Sequence, residues 1–194
     1  MKKILVTGFE PFGGEKINPS WEAVKSLPSE IKEYSLTKLL IPVVFGEAAS
    51  IVLNTAERIR PDVILCIGQA GGRAEITPEL VAINLRHAST PDNIGNQPKD
   101  EPIIEETPAA YFSTIPVRKI AEMINSRGIS SKVSYSAGTY VCNDLLYTLL
   151  ARYDGSATRV GFIHVPYSTD QGKIPSMELE QIIEALSIAI ETLE

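Results

Sequence analysis

The chain has 194 residues, 44% of them hydrophobic, and a formal net charge of -6. This length allows one sizeable core and leaves little room for another, so we expect a single domain over residues 1–194. No cluster of basic residues fits a phosphate backbone, and no stretch approaches the roughly 20 apolar residues that span a bilayer. The N-terminus also lacks the long apolar segment of a signal peptide. We therefore expect a cytoplasmic protein that binds neither nucleic acid nor membranes.

Short apolar, β-branched runs alternate with helical patterns along the chain. Strands are predicted at Lys2–Thr7, Leu36–Val44, Asp62–Ile67, Lys132–Ser136 and Arg159–Val165. Helices are predicted at Phe45–Arg60, at Pro116–Arg127, from about Thr139 to Arg152, and along the stripe Ile182, Leu186, Ile190 and Leu193. This alternation indicates an α/β fold of three layers, α/β/α, around a mostly parallel, twisted sheet. A weak alternation at Leu80–Arg86 adds a strand that would make the sheet mixed.

The segment from His87 to Ile115 has no clear period. It contains four prolines, at positions 91, 98, 102 and 108, and the turn-forming sequence Asn93-Ile94-Gly95-Asn96. A loop of this length within a compact domain is usually functional or covered by a partner.

The sharpest local motif is Ser136–Asn143, which joins a predicted strand to a predicted helix through small residues. It places Cys142 in the first turn of that helix. Free backbone N–H groups and the helix dipole favour a thiolate there, so we expect the pKa of Cys142 to lie below the usual value of about 8.5. The alternative is a buried cysteine that packs as a small apolar residue.

His164 ends the predicted strand Arg159–Val165, at the edge where parallel α/β sheets place their sites. A neutral imidazole there can take a thiol proton and later protonate a leaving amine. The alternative is a core histidine held by one backbone hydrogen bond. His87 is the rival base, beside the proline-rich segment.

A Cys-His pair needs a third group that fixes the imidazole tautomer. The candidates are Glu79, Asp92, Asp100, Asp144 and Asp170, and the residue pattern does not select among them. The two cysteines and two histidines lack the paired spacing of a zinc site, so no metal is expected. A disulfide between Cys66 and Cys142 is not expected in a reducing compartment.

Two glycine-bearing turns, Gly8–Gly14 and Gly68–Arg73, follow predicted strands. Either could present backbone N–H groups to an oxyanion, or the glycines could only permit tight turns. Neither turn matches a nucleotide-binding motif. Phe9 and Phe12 in the first turn either wall a small apolar pocket or pack against the following helix with Trp21 and Val24.

Several segments together resemble the type I pyroglutamyl peptidases, also called pyrrolidone-carboxylate peptidases. They are Val6–Gly14 with Asn18-Pro19, Gly68–Arg73 running to Glu79 and Ala82–Asn84, Pro91–Asn93, Ala110–Thr114, Ser136–Asn143 and Gly161–Tyr167. The resemblance implies a cysteine peptidase with a triad of Cys142, His164 and Glu79. Its expected substrates are peptides with an N-terminal pyroglutamate, and no cofactor takes part.

The resemblance also implies a binding pocket in which Phe9 and Phe12 hold the flat lactam ring. Asn18 and the backbone around Gln69 would recognise the polar edge of that ring. A fold similar to that of phosphorylases and a homo-oligomer, a tetramer, are implied as well.

The chain departs from the family pattern near the predicted orienting carboxylate. Leu80 stands where the family usually has arginine, and His87 and Ser89 replace an acidic residue and an arginine. These changes bring the affinity for substrate and the position of the long loop into question. A catalytically silent protein that binds the lactam, with activity lost through the Leu80 and Ser89 changes, is therefore one alternative. A nucleoside-phosphorylase-like enzyme is another, because the implied fold is similar to that of phosphorylases and a glycine turn could bind phosphate.

Overall fold

The structure, a computed structural model, describes residues 1–193, so Glu194, the last residue of the predicted domain, lies outside the described residues. The strands are β1 (Lys2–Phe9), β2 (Glu30–Ile31), β3 (Tyr34–Ile41), β4 (Val63–Gln69), β5 (Thr77–Pro78), β6 (Val81–Ile83), β7 (Ala110–Phe112), β8 (Arg159–Val165), β9 (Tyr167–Ser168) and β10 (Ser176–Met177). The helices are α1 (Pro19–Ser26), α2 (Glu47–Ile59), α3 (Val117–Ser126), α4 (Val141–Arg152) and α5 (Leu179–Glu191), with a short 3-10 turn at Thr169–Gln171.

The main sheet has the strand order β2-β3-β1-β4-β8-β5. β1 runs parallel to β3 and β4, and β4 runs parallel to β8. The short strands β2 and β5 are antiparallel to their neighbours at the two edges. β4 and β8 are buried almost throughout, as continuous apolar strands covered on both faces should be. The predicted mostly parallel, mixed sheet is confirmed.

Helices cover both faces of the sheet, which confirms the three predicted layers. One core contains residues of α1, α3 and α5, and the other contains residues of α2 and α4. Ile182, Leu186 and Ile190 of the predicted C-terminal stripe are buried in α5, and Leu193 is buried just beyond its end. Each predicted helix is present, and the ends of α2, α3 and α4 lie within two residues of the predicted ones.

The predicted strand Lys132–Ser136 is wrong. Only isolated parallel bridges form there, between Ile76 and Ser131 and between Glu79 and Ser134. The hydrogen bonds at the two bridges would belong to one ladder if the residue between Thr77 and Glu79 could donate, but that residue is Pro78, which has no N–H. The missing donor interrupts the ladder between the bridges.

The strand predicted at Leu80–Arg86 is present as the shorter β6, but it belongs to a different sheet from the one expected. β6 pairs antiparallel with β7 in a separate two-stranded sheet and does not join the main one. The main sheet is mixed because of its edge strands β2 and β5 instead.

The long segment after β6 is held mainly by side chains. Asp92 accepts hydrogen bonds from the backbone N–H groups of Phe45, Ile94 and Asn96 at 2.8–3.1 Å. Asn84 Oδ1 accepts two more, from the N–H groups of residues 103 and 104. The segment therefore has a defined path despite its few regular elements, of which β7 was not predicted.

Candidate active site

The carboxyl ends of β1, β4 and β8 meet at one edge of the main sheet. Phe9 ends β1, Gln69 ends β4, and His164 is the next-to-last residue of β8. The start of α4 lies above β4, and this brings Cys142 to the same edge. The topology therefore gathers residues that are far apart along the chain, at the position where α/β folds place their sites.

Cys142 is the second residue of α4. The first backbone hydrogen bond of the helix runs from Asp144 N–H to Tyr140 O over 3.1 Å, and no side chain caps the helix start. The N–H groups of residues 141–143 therefore have no acceptor within residues 1–193. Such donors, together with the positive end of the helix dipole, can bind a developing oxyanion beside the sulfur.

Gly68 lets the sulfur of Cys142 lie against β4. A Cβ atom at Gly68 would sit 3.0 Å from Cys142 Sγ and 2.7 Å from Phe162 Cζ, so a larger residue would displace one of them. Gly68 is in register with His164 on the adjacent strand. Since paired strands lie about 4.8 Å apart, the thiol and the imidazole lie over neighbouring strands.

His164 is held by a buried carboxylate. Its Nδ1 lies 2.6 Å from Glu79 Oε1, and the Glu79 side chain is 0% exposed. An ionised carboxylate can only accept, so Nδ1 carries the proton and Nε2 is left with its lone pair. This arrangement makes Nε2 the basic atom of the ring.

Two opposing effects act on the Glu79 carboxyl group. Burial raises its pKa, but interactions with His164, Ser134 and Arg73 lower it, and the pKa ends below the usual value. Glu79 is therefore ionised at neutral pH, and it accepts the hydrogen bond from His164 as a carboxylate.

The thiol of Cys142 behaves differently from the sequence-based expectation. Burial raises its pKa well above the usual range, the charge of Glu79 raises it further, and Arg73 opposes the rise. The predicted lowering of the pKa is wrong, because desolvation outweighs the helix start. The resting thiol keeps its proton, so it would need a neighbouring base to act as a nucleophile.

Cys66 is the other free cysteine, and it is fully buried in β4. Burial raises its pKa to about 12. A protonated thiol without access to solvent is chemically inert.

A small cavity opens next to the sulfur. Its volume is about 40 Å³, and it is lined by Phe9, Phe12, Asn18, Val43, Gln69, Tyr140 and Cys142. Phe9 packs in the same core as Phe162, with ring centroids 6.4 Å apart, whereas Trp21 and Val24 belong to the core on the other face. Packing of the two phenylalanines against Trp21 and Val24 is therefore excluded, and both rings wall the cavity.

The family model described as pyroglutamyl peptidase matches residues 2–194. The chain belongs to this family. The resemblance read from the sequence is thereby confirmed.

Relatives and solved structures agree over the full length. A pyrrolidone-carboxylate peptidase of Thermococcus kodakarensis is 50% identical over 193 residues, covering 97% of this chain and 94% of the relative. The crystal structure of Bacillus amyloliquefaciens pyroglutamyl peptidase I is 47% identical with a TM-score of 0.94, covering 100% of this chain and 97% of that one. Pyrrolidone carboxyl peptidase from Thermococcus litoralis is 39% identical, also with a TM-score of 0.94, covering 100% and 93%.

Asn18 lines the cavity, but its amide is largely occupied. Its Oδ1 accepts from the N–H and the hydroxyl of Ser20, at 3.1 and 2.8 Å, and its Nδ2 donates to Glu10 O at 3.0 Å. Asn18 thus caps the start of α1, and one Nδ2 hydrogen remains for a ligand. The Gln69 side chain accepts from Gln171 at 2.9 Å through its oxygen.

Three residues at the site were not predicted as site residues. Val43 and Tyr140 line the cavity, and Arg73 contacts Glu79. Tyr140 packs edge-on against Phe45, with ring centroids 5.2 Å apart. Tyr140 lies in the same motif as Cys142, and Arg73 lies in the second glycine-bearing turn. These positions were the sequence signals that could have identified both residues as part of the site.

The other candidate carboxylates serve other partners. Asp100 pairs with the exposed His87 at 2.9 Å, and Asp144 pairs with Arg86 at 2.6 Å. Asp92 holds the long segment, as described above, and Asp170 is exposed in the 3-10 turn. Among the described residues, the carboxylate that contacts His164 is that of Glu79.

The three departures from the family pattern leave the backbone in place. Leu80 packs against the core and its N–H donates to Ser134 O at 2.8 Å. His87 exchanges two hydrogen bonds with Thr139, just before α4. The carbonyl of Ser89 accepts from Gln97 at 3.0 Å. The local path of the loop is thus held by other contacts.

Within residues 1–193, no group of three or more histidine, cysteine or carboxylate side chains is placed to hold a metal ion. No helix in the same range is long and apolar enough to cross a membrane.

Proposed function

We propose that this protein is a cysteine exopeptidase that hydrolyses the amide bond after an N-terminal pyroglutamyl residue. The observation that carries the proposal is the small apolar cavity between Phe9 and Phe12, which opens on the sulfur of Cys142 beside the His164–Glu79 pair. The family of the chain supports the same activity.

The cavity suits a lactam better than an ordinary N-terminus. Pyroglutamate is flat and has no charged amine, so it can enter an apolar slot while amide groups of Asn18 and Gln69 meet its polar edge. A charged N-terminal ammonium would lose its hydration there without a partner of opposite charge. The slot therefore selects by the cost of desolvation as well as by shape.

Acylation begins at a protonated thiol. As Cys142 Sγ attacks the pyroglutamyl carbonyl carbon, His164 Nε2 takes the thiol proton, and Glu79 stabilises the imidazolium. The carbonyl oxygen becomes an oxyanion near the free N–H groups at the start of α4. His164 then gives its proton to the departing amine, and the C–N bond breaks to leave a thioester on Cys142.

Deacylation uses one water molecule. His164 Nε2 removes a proton from water as the oxygen attacks the thioester carbonyl. The C–S bond then breaks, and Cys142 Sγ recovers the proton from His164. The products are free pyroglutamate and the shortened peptide, and no cofactor enters either step.

The proposal is tested by release of a fluorescent amine from a pyroglutamyl amide and from the matching prolyl amide, in phosphate-free buffer. We expect turnover of the pyroglutamyl amide with a kcat/KM at least about 10³-fold above that of the prolyl amide. Binding of the lactam without turnover would instead identify the silent binding protein. Turnover that requires added phosphate would identify the phosphorylase-like enzyme.

We also place the protein in the cytoplasm as a homo-tetramer. Two free thiols suit a reducing compartment. Phe112 in β7 is 66% exposed and Leu40 in β3 is 44% exposed, and a subunit contact would cover such side chains. A monomeric mass in light scattering of the purified protein would contradict the tetramer.

A further inference from the structure

Arg73 reaches the buried carboxylate of Glu79 from the turn after β4. Its Nη1 lies 2.7 Å from Glu79 Oε1, the same oxygen that lies 2.6 Å from His164 Nδ1. Glu79 Oε2 is buried and has no hydrogen-bond partner in the described part of the chain. His164 and Arg73 thus converge on one oxygen of the carboxylate, with Ser134 as a further hydrogen-bonding side chain beside it, and loss of Arg73 removes one of the contacts that fix its orientation.

We infer that Arg73 is a positioning residue for the proposed peptidase reaction, because its guanidinium fixes the carboxylate that orients His164. The inference rests on the proposed function for its kinetic consequences. Arg73 does not line the cavity beside Cys142, so its action passes through Glu79 and not through the substrate.

The guanidinium is itself held in place. Its Nη1 lies 2.8 Å from Thr77 Oγ1 and 3.3 Å from Ser134 Oγ, and its Nη2 donates to Ser136 O over 3.1 Å. Ser136 begins the segment that leads into α4. Arg73 thus ties the turn after β4 to β5 and to the approach of the helix that carries the nucleophile. A planar guanidinium with several donors can make these contacts together, whereas a lysine ammonium cannot.

The charge of Arg73 supports the same role as its hydrogen bonds. It lowers the pKa of the Glu79 carboxyl against the opposing effect of burial, and it also lowers the pKa of the Cys142 thiol. Without Arg73, Glu79 takes up a proton at a higher pH. A protonated Glu79 no longer stabilises the charged His164, so activity is lost at a higher pH on the acid side.

The test is the variant Arg73→Met, which keeps a long side chain without charge or donors. We expect kcat for a pyroglutamyl amide to fall about 10²-fold while KM changes less than about threefold, and the acid limb of the pH profile to move to higher pH. Arg73→Lys restores part of kcat, since it keeps the charge. If Arg73→Met fails to fold, Arg73→Lys carries the test through a smaller fall in kcat and a smaller upward shift of the acid limb than loss of the charge would give.

Lys132→Met is the matched control. Lys132 lines the same surface cavity as Arg73, but it pairs with Glu75 at 2.9 Å and makes no hydrogen bond to Glu79. We expect its kcat and pH profile to match wild type. Equal losses in both variants, an unchanged kcat in Arg73→Met, or a change confined to KM would each overturn the inference.

A readout without catalysis separates this inference from the proposed function. The chain has two histidines, and only His164 is buried, so its Nδ1 proton can be followed by NMR. We expect a strongly deshielded proton in wild type that weakens or shifts in Arg73→Met and stays in Lys132→Met. An inactive wild type with this behaviour would refute the peptidase and keep the positioning role. An active wild type without this NMR behaviour would support the peptidase and refute the positioning role of Arg73.

Discussion

Cys142→Ser is expected to lower kcat for a pyroglutamyl amide on the order of 10⁶-fold, the scale seen when a triad nucleophile is removed. The serine hydroxyl sits in the same place but is a far poorer nucleophile, and the surrounding desolvation makes its ionisation harder still. Release of a fluorescent amine at high enzyme concentration measures the residual rate.

The matched control is Cys66→Ala, which removes the other thiol from the same neighbourhood. Cys66 is fully buried and does not line the cavity, so its loss should change kcat/KM less than about threefold once the folded fraction is known. Alkylation by iodoacetamide should abolish activity in wild type and in Cys66→Ala alike. A Cys142→Ser variant with more than about a hundredth of wild-type activity would exclude Cys142 as the nucleophile.

Glu79→Gln is expected to lower kcat about 10⁴-fold with little change in KM. The amide can offer a hydrogen to His164 Nδ1, so the imidazole takes the tautomer with its proton on Nε2. That tautomer has no lone pair facing the protonated thiol of Cys142, and attack fails for want of a base. Steady-state kinetics, with the folded fraction from circular dichroism, measures the effect.

Asp144→Asn is the comparison for a general effect of losing a buried carboxylate. Asp144 is also 0% exposed and also pairs with a partly exposed arginine, Arg86, but it does not contact His164. Its kcat per folded molecule should stay within about tenfold of wild type, while its stability falls. Similar losses of kcat in both variants would mean that Glu79 has no particular role toward His164.

The layers of the fold were predictable because local sequence patterns indicate them. Continuous apolar runs such as those around Leu65 and Phe162 require burial on both faces, which a parallel sheet between helices provides. The absence of the predicted strand at 132–136 could not be foreseen from the residues of that segment. The strand fails to form because of Pro78, which is distant in sequence and lacks the N–H group that the ladder of backbone hydrogen bonds needs.

The site was partly readable in the same way. Cys142 and His164 stand at the ends of strands or the start of a helix, and such positions converge in an α/β fold. The choice of Glu79 over four aspartates depends on which carboxylate the short strand β5 carries to His164, and no local pattern encodes that pairing. The protonation state of Cys142 was also beyond the local pattern, because burial is a property of the whole fold.

The pairing of β8 with β4 bears on how the chain matures during synthesis. β1 pairs with β3 and β4 without any residue of β8, so these three strands can associate while the rest of the chain is still being made. His164 reaches its position only when β8 docks along β4, from Val63 to Gln69. A nascent chain that has not yet made β8 therefore carries Cys142 without His164 beside it, and the proposed cleavage of peptides has to wait until β8 has docked.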